Sequence, residues 1–575
     1  MRTNVTRCVQ FALQPSVSVL VSCVGLAMLV ELENQYSSVP FVVMIIGFLA
    51  SIAFFLTSRF AFSVYAAWAV AGIVTLVSLF KFKTKGFSLH FYDLVFVGGD
   101  PTVYAFLVGT FPKLVLSVLA LALVISGGFV LAFSREERRQ VGLGPRIVLV
   151  AITAAALPLT LPAQASNDQR YFYYLGGHHA SSFFVSLLDF EYFFSRTEAL
   201  ERLARMPPET PLAQTPDCRV GEGKPDVFVV LQESQTDLAL LPQLGLIETD
   251  KAPATGRFGR KHPLSVETFG GGTWITNLSL MTGLSAADFG WRSPYLTITL
   301  EGMVGGALPQ VLAQCGYRTA AILPMTYSFV NEGPFLHSIG FETVLDAKAI
   351  GATDFIHRDS LYFEAAEQFI AEHRATDDRP LFLLVQTMFP HAPYTSRMDA
   401  AAKVTNEPLH AEPELAEYLR RVALSRADFG IFMSAREADP SPRGSVVLEF
   451  GDHQSYATKP FIDELAGPDS LSDLSSLAYR TYFALRAFGY DLQPPGRNEA
   501  PMDVAFLGAH LVERARLPSS PILRDLSRLR ALCDGRFHTC DARDEIDRHL
   551  RRRIDAGLLD ILDEPAQGGM TVAQR

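Results

Sequence analysis

Five apolar stretches in the first 165 residues constrain this chain more than any other feature. Residues 12–31, 40–57, 61–80, 112–133 and 146–163 are each near the length of about 20 residues that lets a helix cross a bilayer. An odd number of crossings puts the two ends of the region on opposite faces. Arg2 and Arg7, then Arg59, then the cluster Arg135, Arg138, Arg139 and Arg146 all fall on one face, which the positive-inside rule makes cytoplasmic. Lys81, Lys83 and Lys85 fall on the other face, against the rule, and the larger arginine cluster outweighs them. A signal peptide is the rival reading of residues 1–31, but the spans after it make cleavage there immaterial to the layout. A multi-pass inner-membrane protein is expected, with everything beyond residue 165 on the periplasmic side.

The length of 575 residues exceeds what one core organises, and the 49% hydrophobic content is concentrated in the first third. A net charge of -10 argues against a nucleic-acid partner, which would select a basic face. Six cysteines make no disulfide scaffold; Cys8 and Cys23 read as small hydrophobes, whereas Cys533 and Cys540 could close a small loop in an oxidising compartment. Aromatic residues dominate Gly86 to Pro112 and Arg170 to Phe194, the latter around His178 and His179, and both segments suit the membrane interface. Pro207, Pro208, Pro211 and Pro216 mark 196–224 as a linker. The expected domains are a transmembrane region 1–165, a juxtamembrane helix and linker 166–224, a catalytic domain 225–490 and a helical extension 491–575 packed on it.

From Pro225 onward, short apolar runs alternate with helical stretches. Val227 to Leu231, Thr319 to Leu323, Leu381 to Thr387, Ser445 to Phe450 and Thr481 to Leu485 read as strands. Leu308 to Gly316, Leu361 to Arg374 and Pro413 to Ser434 carry helical periodicity. Almost wholly apolar strands separated by helices predict a mostly parallel α/β sheet covered on both faces, with ligands beyond the strands' carboxyl ends. The tail 491–575 is Arg-rich and helical toward its end, and its charges most simply form a solvated face.

Gly270, Gly271 and Gly272 lead into Thr273 and a helical stretch ending at Gly283. Thr273 therefore stands at a helix N-terminus, where unpaired N–H groups and the positive end of the dipole favour an anion. Residues just past the predicted strands share one sheet edge: Glu233 after the first, His391 in Phe-Pro-His-Ala-Pro-Tyr after the third, and Asp452-His453 after the fourth. A lone Glu after a strand is usually a surface residue, and Asp-His pairs arise by chance. The whole set, in order along an α/β pattern, is a different matter. Two carboxylates, an imidazole and a threonine hydroxyl could together hold one divalent cation in a four-coordinate site. Such an ion would lower the hydroxyl pKa of Thr273 and neutralise charge building on a phosphoryl group, leaving His391 to donate to a leaving oxygen or hold the substrate.

The apolar strand with Glu233, Gly-Gly-Thr273, Phe-Pro-His391-Ala-Pro-Tyr and Phe-Gly-Asp452-His453, behind five spans, resemble the lipoteichoic acid synthase and phosphoglycerol transferase branch of the alkaline phosphatase/sulfatase superfamily. The resemblance covers most of the chain. It implies an alkaline-phosphatase/sulfatase-like fold with Thr273 as a transiently phosphorylated or glycerophosphorylated nucleophile. It also implies Glu233, Thr273, Asp452 and His453 as ligands of a divalent metal ion, manganese foremost with zinc and magnesium as alternatives, and His391 as a substrate contact. One stretch departs from the pattern. Where lipoteichoic acid synthases carry aromatic-Trp-Asn-Arg gripping the glycerol phosphate, this chain reads Phe329-Val330-Asn331-Glu332. An acid there would repel phosphate and suits a cationic head group such as ethanolamine; Arg292, Arg318 and Arg358 are the candidates for supplying positive charge from elsewhere. Sulfatases proper use Cys/Ser-x-Pro-x-Arg, and Thr273-Trp274-Ile275-Thr276-Asn277 has none of it, which disfavours sulfate ester hydrolysis.

The expected activity is therefore transfer of a phosphoglycerol-type group from a phospholipid, phosphatidylglycerol first, to a periplasmic glucan or other envelope polymer. Phosphoethanolamine transfer is the runner-up and phosphodiester hydrolysis a third reading. A membrane scaffold or sensor with the fold but no turnover predicts damaged ligands, and all four are present.

Overall fold

The computed structural model describes residues 10–33, 38–85, 87–99, 101–110, 112–162, 178–188, 197–219, 223–241, 260–404, 412–439, 441–468, 470–494 and 501–561. The chain divides into two compact units, 1–195 and 196–575. Much of the aromatic segment 170–194, part of the linker 196–224 and the end of the tail lie outside the described residues.

In the first unit, five helices are long and apolar enough to cross a membrane: Pro15–Leu32, Val39–Thr57, Phe60–Phe82, Val115–Arg135 and Leu143–Thr160. At one end of this unit the carboxylate of Glu136 accepts the N–H groups of Ala61 and Phe62, both at 2.8 Å, and so caps the third helix. Arg59 donates to the carbonyl of Glu136 and Arg146 to the hydroxyl of Ser58, so two of the arginines expected on the cytoplasmic face gather here. The other end of the third helix meets a separate polar cluster. Lys81 pairs with Asp93 at 2.7 Å and donates to the carbonyl of Ser88, while Glu33 accepts the N–H groups of His179 and Ser181. Lys81, one of the lysines that run against the positive-inside pattern, is thus neutralised by an internal carboxylate, and its charge makes no demand on the cytoplasmic face. The segment after it folds into two short helices, Phe91–Phe96 and Pro101–Thr110, with Tyr92 buried.

The second unit is built on an eight-stranded sheet. Its strands are β1 (Asp226–Gln232), β2 (His262–Ser265), β3 (Arg318–Ile322), β4 (Thr343–Leu345), β5 (Leu381–Gln386), β6 (Ser445–Gly451), β7 (Arg480–Phe488) and β8 (Met502–Asp503), in the order β4-β3-β5-β1-β6-β7-β2-β8. The block from β4 to β6 is parallel; β7 runs antiparallel to both β6 and β2. Every residue of β1, β5 and β6 is buried, as expected of central strands covered on both faces. Alternate residues serve the two faces. Val227, Val229 and Leu231 join a core with the helix Thr273–Thr282 and the C-terminal helices. Phe228 and Val230 join a second core with the helices Ser360–Thr376 and Pro413–Glu437.

The tail departs from a solvated face. Its helices Leu507–Arg514, Pro521–Leu532 and Arg543–Asp555 contribute Leu511, Leu526, Ile546 and Leu550 to the first core, and Arg553 has no exposed surface. The arginines that suggested solvation face acids instead, as Arg543 does with Asp288 and Asp547. Gly283, at φ 68°, shows how closely the tail packs: a Cβ there would lie 2.3 Å from Leu526 Cδ1. Cys533 and Cys540 are bonded, and a second disulfide, Cys218–Cys315, ties the segment before β1 to the residue that ends the helix Leu308–Gln314.

Candidate active site

The parallel strands deliver the acidic residues to one edge. Glu233 follows β1 directly, and its N–H donates to the hydroxyl of Thr387, which itself donates to the carbonyl of Leu231. Asp452 and His453 follow β6, the neighbour of β1. Across from them the glycine turn, with Gly270 at φ 71° and Gly272 at φ 91°, reverses the chain and opens the helix Thr273–Thr282 with Thr273 as its first residue. A residue with a side chain resists both angles.

These elements bring the four predicted ligands together. The hydroxyl of Thr273 donates to Oε2 of Glu233 at 3.2 Å. Oε1 of Glu233 accepts the hydroxyl of Ser234 at 2.7 Å, and Oδ1 of Asp452 accepts the N–H groups of Ser234 and His453 at 2.8 and 2.9 Å. His453 Nδ1 faces the carbonyl of Gln454 at 3.1 Å; a carbonyl only accepts, so Nδ1 carries the proton. In the neutral ring the lone pair is then on Nε2, which stands 3.2 Å from Asp452 Oδ2 and 3.7 Å from Glu233 Oε1. The same carbonyl of Gln454 also accepts the N–H of Gly270 at 2.9 Å, coupling the glycine turn to the imidazole tautomer.

Glu233, Asp452 and His453 form a buried group whose ligand atoms all lie within 4.8 Å of one another. Asp452 Oδ2 and His453 Nε2 are buried and take no hydrogen bond among the described residues. Two carboxylates and an imidazole lone pair at this spacing repel unless a cation lies among them, and the outward atoms of each residue are already fixed by neighbours. The donor set, oxygen and imidazole nitrogen, fits a divalent ion of the zinc, manganese or magnesium kind.

His391 stands outside that group, in the loop that follows β5. Its Nδ1 donates to the carbonyl of Ala392 at 2.5 Å, and Phe355 meets its ring edge-on. The loop is gripped from below by Arg421, which has no exposed surface and donates to the carbonyls of His391, Pro393 and Ser396 at 2.8, 3.0 and 3.0 Å. Arg420 holds the carbonyl of Met398, and both arginines pair with Glu417. Sequence reasoning missed this pair, because adjacent arginines on an amphipathic helix look solvated.

The departing stretch forms a tight turn. Val330 and Asn331 both adopt the left-handed conformation, at φ 46° and 59°, and the turn is held by Thr297, whose hydroxyl donates to the carbonyl of Val330 and whose own carbonyl accepts Asn331 Nδ2. Glu332 follows, buried, its Oε1 accepting Asn277 Nδ2 at 3.1 Å and Gln386 Nε2 at 2.8 Å; burial raises its pKa. Two of the arginines expected to offset this acid are engaged elsewhere. Arg318 pairs with Glu342, and Arg358 with Asp428 and Asp399.

A family model described as Sulfatase matches residues 225–465, the span that holds all of these residues. Over these residues, a little under half of the full length, the chain is similar to the Sulfatase family. Two curated relatives are similar to the chain. One is an uncharacterized protein of Haemophilus influenzae, 27% identical over 321 residues, which are 52% of this chain and 55% of that protein. The other is a putative cyclic beta-1,2-glucan modification protein of Rhizobium meliloti, 27% identical over 253 residues, 42% of this chain and 38% of that protein. The chain thus matches about half or less of the length of these relatives. Among solved structures, the integral membrane protein lipooligosaccharide phosphoethanolamine transferase A of Neisseria meningitidis aligns with a TM-score of 0.50 and 11% identity, covering 86% of this chain and 95% of that one. At this identity the likeness is one of fold, and it extends over apolar N-terminal helices as well as the part that matches the Sulfatase model.

Proposed function

We propose that this protein is a membrane-tethered transferase that moves a phosphoryl-linked head group from a phospholipid to an extracytoplasmic acceptor through Thr273. The observation that carries the reading is the hydroxyl of Thr273, first in its helix and hydrogen-bonded to Glu233 inside the group completed by Asp452 and His453. Thr273 Oγ1 attacks the phosphorus of the lipid phosphodiester and passes its proton toward Glu233, which already accepts it. The phosphorus–oxygen bond to the lipid breaks, and diacylglycerol leaves with a proton from His391. An acceptor hydroxyl then attacks the threonine-bound phosphorus and gives its proton to His391, while the bond from phosphorus to Thr273 Oγ1 breaks and Thr273 takes back the proton held by Glu233. A divalent cation held by Glu233, Thr273, Asp452 and His453, manganese first, would lower the threonine pKa and screen phosphoryl charge. N–H groups at the start of the helix face the same oxygens.

Lipid origin of the donor accounts for five spans on the same chain, and the name of the Rhizobium relative favours a glucan as acceptor. Two disulfides in the second unit favour an oxidising, extracytoplasmic setting for it. Phosphatidylglycerol is the donor the motifs favour; Glu332 is the specific observation that favours phosphatidylethanolamine. The test is mass spectrometry of the protein purified from its membrane, which should find a glycerophosphate or phosphoethanolamine adduct on Thr273. Undiminished head-group transfer by Thr273→Ala would end the proposal.

A further inference from the structure

Nearly every buried carboxylate of the second unit outside the metal-capable group has a cationic partner. Glu267 faces His538, Glu417 faces Arg420 and Arg421, Glu449 faces Arg426, and Asp428 faces Arg358. Asp226, Asp525 and Asp547 likewise meet Arg374, His549 and Arg543. Two acids differ among the described residues. Asp359 caps the N–H groups of Met388 and Phe389. Glu332 is held only by the neutral amides of Asn277 and Gln386, both on Oε1, and Oε2 takes no hydrogen bond among the described residues. A buried carboxylate with two amide donors and no counter-ion is incomplete as a structural element, since ionisation there is costly until a positive charge arrives.

The position of this acid is informative. Asn277 lies four residues beyond Thr273, so it is about one helical turn along the same face. Gln386 ends β5, and the next residue, Thr387, anchors the N–H of Glu233. Glu332 therefore sits between the nucleophile's own helix and the strand end that fixes the first metal-capable carboxylate. Two consecutive left-handed residues, Val330 and Asn331, bring it there at a cost in backbone strain.

We propose that Glu332 is a specificity-determining residue that receives the primary ammonium of a phosphoethanolamine-type head group while the phosphorus lies at Thr273. This rests on the lipid-transferase reading above and selects the donor within it. The two-carbon arm between phosphorus and ammonium spans about one helical turn, the separation that Thr273 and Asn277 set. The ammonium supplies the missing counter-charge, whereas a glycerol end offers hydroxyls only.

The experiment uses the full chain in mixed vesicles of phosphatidylethanolamine and phosphatidylglycerol with differently labelled acyl chains, reading diacylglycerol released from each. The wild type should prefer the ethanolamine lipid. Glu332→Gln keeps an oxygen for both amides and loses the charge, so the preference should fall by about tenfold to a hundredfold, the weight of a charge-assisted hydrogen bond. Glu332→Asp keeps the charge and should keep the direction of the preference. A wild type that prefers phosphatidylglycerol, or a ratio unmoved in Glu332→Gln, overturns the assignment of Glu332 and leaves the transferase reading standing. Release of neither lipid by the wild type overturns both.

Discussion

Arg553 donates from Nη1 to the carbonyl of Thr282 at 3.0 Å, so a fully buried guanidinium closes the far end of the helix that begins with Thr273. A cation at a helix C-terminus complements the dipole that makes the opposite end attractive to phosphate. The C-terminal extension, outside residues 225–465, thereby braces the helix of Thr273, the proposed nucleophile, from behind.

Replacing Arg553 with Ala should cost about 2–4 kcal/mol of stability, the range for emptying a well-packed site, and Arg553→Met clearly less because it refills the volume. The midpoint of denaturant unfolding is the measurement. Equal losses in the two variants would show that the hydrogen bond to Thr282, and not the packing, carries the effect.

A second brace predicts a pH dependence. His538 Nε2 bonds Glu267, which also accepts the hydroxyl of Ser285 and the N–H of Ala286, both at 2.6 Å. Burial opposes the charged imidazole, but the Glu267 carboxylate outweighs it and lifts the pKa to about 9. A raised pKa contributes stability that is complete below the unfolded value of about 6.5 and is lost as pH climbs through the folded value. Thermal midpoints should hold up to about pH 6.5, decline toward pH 9 and level off above it, with about 3 kcal/mol at stake at most. In His538→Phe this decline should be absent.

The metal-capable group makes a separable prediction. Elemental analysis of the wild type should find about one divalent ion per chain. His453→Ala should lose it, since the lone-pair donor is gone and Glu233 and Asp452 are left to repel. Thr273→Ala should retain most of the ion yet lose turnover by about a thousandfold or more, because the nucleophile itself is removed. Retention of full metal by His453→Ala would show that the ion sits elsewhere.

The sheet's centre and the grouping of Glu233, Asp452 and His453 were legible because they obey simple rules. β1 and β5 hold unbroken apolar runs and β6 one interrupted only by Glu449, and Glu233, Asp452 and His453 directly follow β1 and β6. The margins were not. β2, β4 and β8 are four, three and two residues long, and β2 carries Pro263, so only pairing with neighbours makes them strands. Ser234, Thr387, Gln454 and Asn277 are ordinary polar residues with no spacing signature, and their roles come from tertiary proximity alone. Lys81 ran against the charge pattern for a similar reason, its neutralising partner Asp93 lying twelve residues away in a separate helix.

The Cys218–Cys315 pairing was beyond sequence reasoning too, since 97 residues separate the partners. That separation gives it consequence. By loop-closure entropy it contributes up to about 4.7 kcal/mol, against about 2.5 kcal/mol for the short Cys533–Cys540 loop. Cys218→Ser with Cys315→Ser should therefore lower the thermal midpoint more than the paired Cys533 and Cys540 variant. In intact cells the four thiols should resist alkylation unless a reductant is added first; ready labelling would contradict an extracytoplasmic location.

The loop carrying His391 offers the last test. Arg421 meets three carbonyls of that loop with two nitrogens, and only a planar, multi-donor side chain can hold them at once. Lysine would keep the charge and the ion pair with Glu417 but could satisfy one or two of the carbonyls. Arg421→Lys should leave metal content unchanged, since Glu233, Asp452 and His453 lie on other elements, while turnover falls by about tenfold to a hundredfold through misplacement of His391. Because the proposed role of His391 is proton delivery to the leaving oxygen, the loss should shrink for a donor whose leaving group needs no proton, such as a nitrophenyl phosphodiester. An equal loss with both donors would place the effect of Arg421 on substrate binding instead of on His391.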